Sequence, residues 1–247
     1  MTGPTITLSG VYTAYEGAAN PSLRNINLTI DRGEFVVVGG PNGAGKTTLL
    51  ETINGMLRIT HGSARICGIN LLEDGVGVRR RVGYVIQNFA FDPLSPFTAG
   101  EVVLMGRYGR LGYLNRPKEP DIRAARQAMQ MLGIEDLADA PIGTLSGGQQ
   151  QKVLIAQNLA KEPEIMLLDE PFSNLDLIAK HSVSTLLHDL AGAGITVIVV
   201  SHAFDDLPPR PIRILVMNGG EVTADHTCMP DEVEDIVRTA SGSDARA

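Results

Sequence analysis

Apolar and polar positions alternate early in the chain. Ile26, Leu28 and Ile30 are separated by Asn27 and Thr29, a period of two that predicts a half-buried strand. Thr5–Leu8 and the stretch around Tyr12–Tyr15 read the same way, so an antiparallel β region is expected ahead of residue 35. The pattern then changes. Phe35-Val36-Val37-Val38 is continuously apolar, as in a strand covered on both faces. A helix is expected over Lys46–Leu57 and a strand ending in Val82-Gly83-Tyr84-Val85-Ile86-Gln87. Beyond Pro120, Ile122, Ala125, Met129 and Leu132 recur at helical spacing until Gly133 stops them. The pattern next predicts a helix from Ser146 through Ala160, a strand at Ile165–Leu168, a helix near Leu177–Leu190 and a strand at Ile195–Val200. Arg213–Met217 and Glu221–Thr223 flank Asn218-Gly219-Gly220, the signature of a hairpin with a glycine turn.

Strands alternating with helices predict an α/β fold with a mainly parallel core sheet. Residues 88–160, interrupted by Pro93, Pro96, Pro117 and Pro120 and otherwise helical, read as an insertion between core segments 1–87 and 161–225. Residues 1–240 form one domain in this reading and 241–247 a frayed tail. No internal repeat is present.

Composition narrows the functional classes. With 43% hydrophobic residues the 247-residue chain can bury a substantial core, and a net charge of −7 argues against nucleic acid as the main partner. Cys67 and Cys228 offer neither metal-ligand spacing nor a disulfide framework. The N-terminus lacks the charged start and apolar stretch of a signal peptide, and the longest dense apolar run, Ile195–Val200, is only strand-sized. A soluble chain is expected, with any membrane role exercised through a partner.

The chemistry is concentrated in three segments. Gly40-Pro41-Asn42-Gly43-Ala44-Gly45-Lys46-Thr47 fits G-x-x-x-x-G-K-[ST] between an apolar strand and the helix opened by Thr48. Glycines let successive backbone N–H groups turn toward phosphate oxygens, and the helix start adds partial positive charge. Lys46 would reach the β- and γ-phosphates of a bound nucleotide, and the Thr47 hydroxyl would ligate Mg²⁺. A glycine turn with an exposed lysine is the bland alternative, but strand, spacing and helix all oppose it. Ile165–Leu168 ends in Asp169-Glu170: Asp169 beside the phosphate loop can hold Mg²⁺. Glu170, expected to point elsewhere by strand alternation, can orient or deprotonate water. Leu145-Ser146-Gly147-Gly148-Gln149 places a capping serine, two glycines and a glutamine at a second helix start, another anion-binding site.

These three segments, in this order, resemble the nucleotide-binding subunit of ABC transporters over nearly the whole chain. The resemblance implies a P-loop NTPase of the ABC ATPase kind, with an N-terminal antiparallel β subdomain and an inserted helical subdomain. It also implies a head-to-tail dimer in which Ser146, Gly147, Gly148 and Gln149 of one copy close on the γ-phosphate held by the other. Gln87 resembles the glutamine that contacts Mg²⁺ and water and senses the permease. Ser173-Asn174-Leu175-Asp176 resembles the loop crossing the dimer interface, although it reads equally well as a helix cap. His202 resembles the switch histidine on the γ-phosphate, and Tyr15, with Tyr12 as its close competitor, the aromatic residue stacked on adenine. Ala203, where an acidic residue is more usual, and Gln157-Asn158, where arginine and a small residue are frequent, depart from the family pattern.

Within that family the chain resembles separate importer subunits. The interval between Lys46 and Leu145 carries no sustained heptads of a DNA-repair coiled coil, one cassette is present, and no membrane helices are fused. Phe97-Thr98-Ala99-Gly100-Glu101-Val102-Val103-Leu104-Met105-Gly106-Arg107-Tyr108 resembles a stretch seen in importers of zinc, manganese, iron chelates and cobalamin. The resemblance implies permease docking near Gln87 and residues 97–108, an indirect link to an external substrate-binding protein, and a place on the cytoplasmic face of the membrane. A soluble iron–sulfur assembly ATPase is the main competitor. A kinase or GTPase sharing only the phosphate loop leaves Leu145–Gln149 unexplained.

Overall fold

The unbroken apolar run becomes the centre of a sheet. In the computed structural model, which describes residues 3–17, 20–87, 91–112, 115–201, 204, 207 and 210–241, β3 (Phe35–Gly39) is entirely buried. It lies between β8 (Thr196–Val200) and β9 (Ile212–Asn218), parallel to both. β7 (Ile165–Asp169) and β6 (Val82–Val85) extend the parallel order on one side, and β10 (Glu221–Cys228) adds an antiparallel edge on the other. The order β10-β9-β3-β8-β7-β6 therefore gives the mainly parallel core sheet that the pattern predicts. Both faces are covered, which is why β3, β7 and β8 carry no alternation.

The register fixes where chemistry can occur. Val38 pairs with Val200, Val200 with Asp169, and Leu168 with Val85, so the C-terminal ends of four neighbouring strands align. The chain leaves that edge at Gly40, at Glu170, at Ser201 and just before Gln87. Ligands of open α/β sheets bind at this kind of edge.

A second sheet is antiparallel, in the order β2 (Leu23–Ile30), β1 (Ile6–Thr13), β4 (Ile59–Ile66), β5 (Ile69–Asn70). β4 and β5 have no counterpart in the pattern reading. Thr60, His61, Gly62 and Ser63 are all exposed, so β4 shows little alternation and earns its place by pairing with β1. Against this sheet lies α1 (Lys46–Ile53), whose Leu49, Leu50 and Ile53 are fully buried with Ile6, Leu8 and Ile26. The helix stops four residues short of the expected Leu57, because Asn54 caps it and Gly55 turns away at φ +71.

Between β6 and β7 stand α3 (Ala99–Met105), α4 (Tyr108–Leu111), α5 (Glu119–Met131) and α6 (Gly147–Ala160). The periodicity anticipates α5 and α6. Three further helices are α2 (Gly75–Arg81), α7 (Leu177–Gly192) and α8 (Val233–Ala240), of which only α7 is legible in the pattern. Residues 242–247, most of the expected tail, lie outside the described residues.

α3 and α6 touch backbone to backbone. A Cβ on Gly106 would overlap the Gln157 carbonyl oxygen, so only glycine lets the two helices approach this closely. Gly106→Ala is expected to force them apart and cost about 2 kcal/mol of stability, read as a lower urea midpoint. An unchanged midpoint would show that the helices can separate freely. At the next residue of α6, Asn158 Oδ1 accepts from the Tyr84 backbone N–H at 2.9 Å. The departure from the family pattern at Asn158 thus ties this helix to the edge strand leading to Gln87.

Candidate functional site

A cleft of about 600 Å³ opens at the aligned strand ends. Its floor is the loop after β3. Gly40 has φ +134, and a Cβ there would overlap the Met217 carbonyl oxygen, so the turn into the loop requires glycine. Gly43 at φ +78 and Gly45 at φ +100 complete a curl that delivers the chain into α1. Pro41, Asn42 and Ala44 fill the intervening positions, and the Ala44 N–H bonds back to the Pro41 carbonyl at 3.2 Å. Lys46 Nζ donates to the carbonyls of Gly40 and Pro41 at 2.8 and 3.0 Å, which holds the ammonium over the loop. Burial lowers the Lys46 pKa, while Glu170 and then Asp169 oppose that shift.

Thr47 and Asp169 meet here although the sequence separates them widely: the Thr47 hydroxyl donates to Asp169 Oδ2 at 2.7 Å. Asp169 and Glu170 line the same cleft, contrary to the expectation from strand alternation. The reason is local. β7 ends at Asp169, and Glu170 enters the left-handed region at φ +51, with its N–H bonded to the Val200 carbonyl at 3.0 Å. Gln87 also lines the cleft but does not end a strand: β6 stops at Val85, and Gln87 sits in the turn beyond.

Tyr15 rather than Tyr12 lines the cleft. Its hydroxyl donates to Glu51 Oε2 at 2.7 Å and lies 3.2 Å from Thr48 Oγ1, both on α1, and burial raises its pKa. Tyr12 instead packs edge-on against His61, ring centres 5.9 Å apart. His202 and Ala203 lie outside the described residues.

The second helix start stands apart. Ser146 Oγ accepts from the Gln149 N–H at 3.3 Å, and Gln149 Oε1 accepts from the Ser146 N–H at 2.9 Å, a complete capping box at the head of α6. Ser146 and Gly147 are exposed, and residues 146–149 do not line the cleft. Beside them runs the 173–176 loop: a Cβ on Gly148 would lie 3.2 Å from the Asn174 carbonyl oxygen, and Asp176 caps α7 through the Ala179 N–H at 2.8 Å.

One expected docking residue faces inward. Arg107 is only 11% exposed, and its guanidinium donates to Asp121 at 3.0 Å, to Glu162 at 2.7 Å and to the Ala160 carbonyl at 2.8 Å. It ties α3 to α5 and to the end of α6, leaving Phe97 and Tyr108 to the surface. Arg107→Ala is expected to lower the melting temperature, because it removes the guanidinium that holds Asp121, Glu162 and the Ala160 carbonyl together. A melting temperature equal to that of the unaltered protein would contradict this.

One wall of the cleft carries no local signal in the sequence. Pro21, Ser22, Arg24, Gly219 and Gly220 form it, from the start of β2 and the β9–β10 turn. The glycine pair signalled a turn, but nothing local said that the turn closes on the phosphate loop.

The ABC transporter family model matches residues 23–173, which include the loop, the helix start at 146–149 and both carboxylates. The chain belongs to the ABC transporter family. It is similar to the manganese transport ATP-binding protein MntB of Bacillus subtilis, 41% identical over 80% of this chain and 76% of the relative. The zinc transport ATP-binding protein TroB of Treponema pallidum is 37% identical over 90% and 82%. The glutamine transport ATP-binding protein GlnQ of Escherichia coli is 36% identical over 82% and 84%. Among solved structures, an ATP-binding cassette dimer bound to ADP and Pi superposes with a TM-score of 0.77 at 32% identity, covering 90% of this chain and 98% of that one. As a member of the family, this chain is a transporter ATP-binding subunit and an ATPase. No described helix is long and apolar enough to cross a membrane.

Proposed function

We propose that the chain energises uptake of a divalent metal ion of the manganese or zinc kind through a separate membrane permease. The observation that carries the catalytic part is the meeting of Lys46, Thr47, Asp169, Glu170 and Gln87 in one cleft. Similarity to the manganese and zinc transport subunits supports the cargo class.

The residues present fit a nucleotide-associated Mg²⁺. Among the described residues no group of three His, Cys, Asp or Glu could hold a metal alone, whereas the Thr47 hydroxyl and the Asp169 carboxylate meet at 2.7 Å as hard-oxygen donors. Such a pair leaves positions for phosphate oxygens and water, as Mg²⁺ prefers. When bound, the ion would neutralise charge on the β- and γ-phosphates. Lys46 shares that neutralisation, Gln87 orients the attacking water, and Glu170 accepts its proton as its oxygen bonds to the γ-phosphorus and ADP departs. Tyr15 supplies a face for adenine and His202 a contact to the γ-phosphate.

Ser146–Gln149 act in trans in this reading. Ser146 and Gly147 are exposed and all four residues lie outside their own cleft, so a second copy brings them to the γ-phosphate only when ATP is present. Opening after hydrolysis would carry the helical segment and the permease with it. A groove of about 400 Å³ lined by Ile86, Phe97, Val102, Met105 and Leu154 is the proposed permease seat, beside Gln87. The subunit would then lie on the cytoplasmic face of the membrane, and a substrate-binding protein outside would deliver cargo.

Deleting the gene and measuring cellular uptake of manganese, zinc, an iron chelate, cobalamin and glutamine tests the proposal. Loss confined to manganese or zinc is expected. Loss confined to glutamine would transfer the cargo class to the GlnQ-like reading, and unchanged uptake of all five would defeat the importer assignment.

A further inference from the structure

Arg24 occupies a place in the cleft that its solvent-exposed position does not require. Its backbone N–H donates to the Gly220 carbonyl at 2.8 Å. Its Nε donates to the Gly219 carbonyl at 3.1 Å, and Nη2 donates to the same oxygen. Gly220 in turn donates its N–H to the Ala44 carbonyl of the phosphate loop at 3.0 Å. The guanidinium is thus fixed to the β9–β10 turn, and the turn to the loop. Two of its nitrogens are spent on one carbonyl. None of the described residues accepts from the third, Nη1, and the side chain lines the nucleotide cleft. Among the described residues, Lys46 and Arg24 are the cationic side chains lining it.

The cleft has two ends. Asp169, Glu170 and Gln87 mark the reacting end through the Thr47–Asp169 bond. The opposite end lies against Gly45: a Cβ there would be 3.3 Å from the Ser22 carbonyl oxygen and 3.5 Å from Gly220 Cα. Arg24 is tied to that side of the loop through the Gly219 and Gly220 carbonyls. A fixed guanidinium there, with a free pair of N–H donors, fits an anionic oxygen of the part of the nucleotide farthest from the γ-phosphate.

We infer that Arg24 is a nucleotide-binding residue that donates through Nη1 to the α-phosphate of ATP and ADP alike. The contact is the same before and during phosphoryl transfer, so it contributes to binding and not to turnover at saturation.

The inference rests on ATP occupying this cleft, and Lys46→Ala run in parallel separates the two. Isothermal titration with ADP and with a non-hydrolysable ATP analogue, together with steady-state ATPase kinetics, reads the effect. Arg24→Gln, which can still donate to Gly219, is expected to weaken both ligands about tenfold, raise KM and leave kcat within about twofold. Arg24→Lys, which keeps the charge, is expected to recover most of that loss. Unchanged affinity in Arg24→Gln, loss for the ATP analogue but not for ADP, or failure of Arg24→Lys to recover would each overturn the inference. If Lys46→Ala also leaves both affinities unchanged, the assignment of the cleft itself fails.

Discussion

Glu170→Gln is expected to lower kcat by about a hundredfold to ten-thousandfold, the range that a positioned general base contributes, while ATP still binds. The side chain keeps its size but can no longer take a proton from water. Its position makes it a specific candidate for that role. The chain turns at Glu170 into a left-handed conformation that non-glycine residues avoid, and that turn brings the carboxylate into the cleft beside Asp169. If hydrolysis is what releases the closed dimer, the variant should accumulate as a dimer with MgATP and remain a monomer without it. Size-exclusion chromatography with light scattering distinguishes these states. A kcat within tenfold of the unaltered enzyme, or a strict monomer with MgATP at high protein concentration, would remove Glu170 from the role of base.

Lys46→Ala is expected to act earlier, on binding itself. The lysine is held by two loop carbonyls within the curl, and burial works against its charge while two carboxylates support it. A cation so placed has a partner ready when phosphate oxygens arrive. Removing it deletes a charged hydrogen bond worth about 1.5–3 kcal/mol, so ATP affinity should fall by about ten- to a hundredfold in calorimetry. Unchanged affinity would refute the assignment of this loop as the phosphate-binding site. The contrast with Glu170→Gln is diagnostic: one variant binds and does not turn over, the other fails to bind.

Several assignments were legible because they depend on near neighbours in the chain. The curl at 40–47 follows from glycines that alone adopt its dihedrals, and the capping box at 146–149 follows from serine and glutamine at the required spacing. The apolar runs at 35–38 and 165–168 announced buried parallel strands. By contrast, β4 escaped notice because its middle is polar and exposed, and its strand character comes from pairing with β1. α8 escaped as well, and it matters, since Val237 lies against the strand that feeds the loop: a Cβ on Gly39 would stand 2.8 Å from its methyl group. Arg107 illustrates the opposite error, in which a residue within a surface-like motif proved to be an internal tie.

The amino-acid sequence by itself determined the local devices: a phosphate curl, a capped helix start, a strand ending in two carboxylates, and the family these identify. Backbone dihedrals and hydrogen bonds within a few residues suffice for each. Only the tertiary structure decided which devices share a cleft. Thr47 meets Asp169, Arg24 closes on Gly219, and Tyr15 displaces Tyr12 from the cleft wall through strand order and register. Such contacts join residues far apart along the chain, and they exist because burying the apolar faces of two sheets and their helices leaves the strand ends only one common edge.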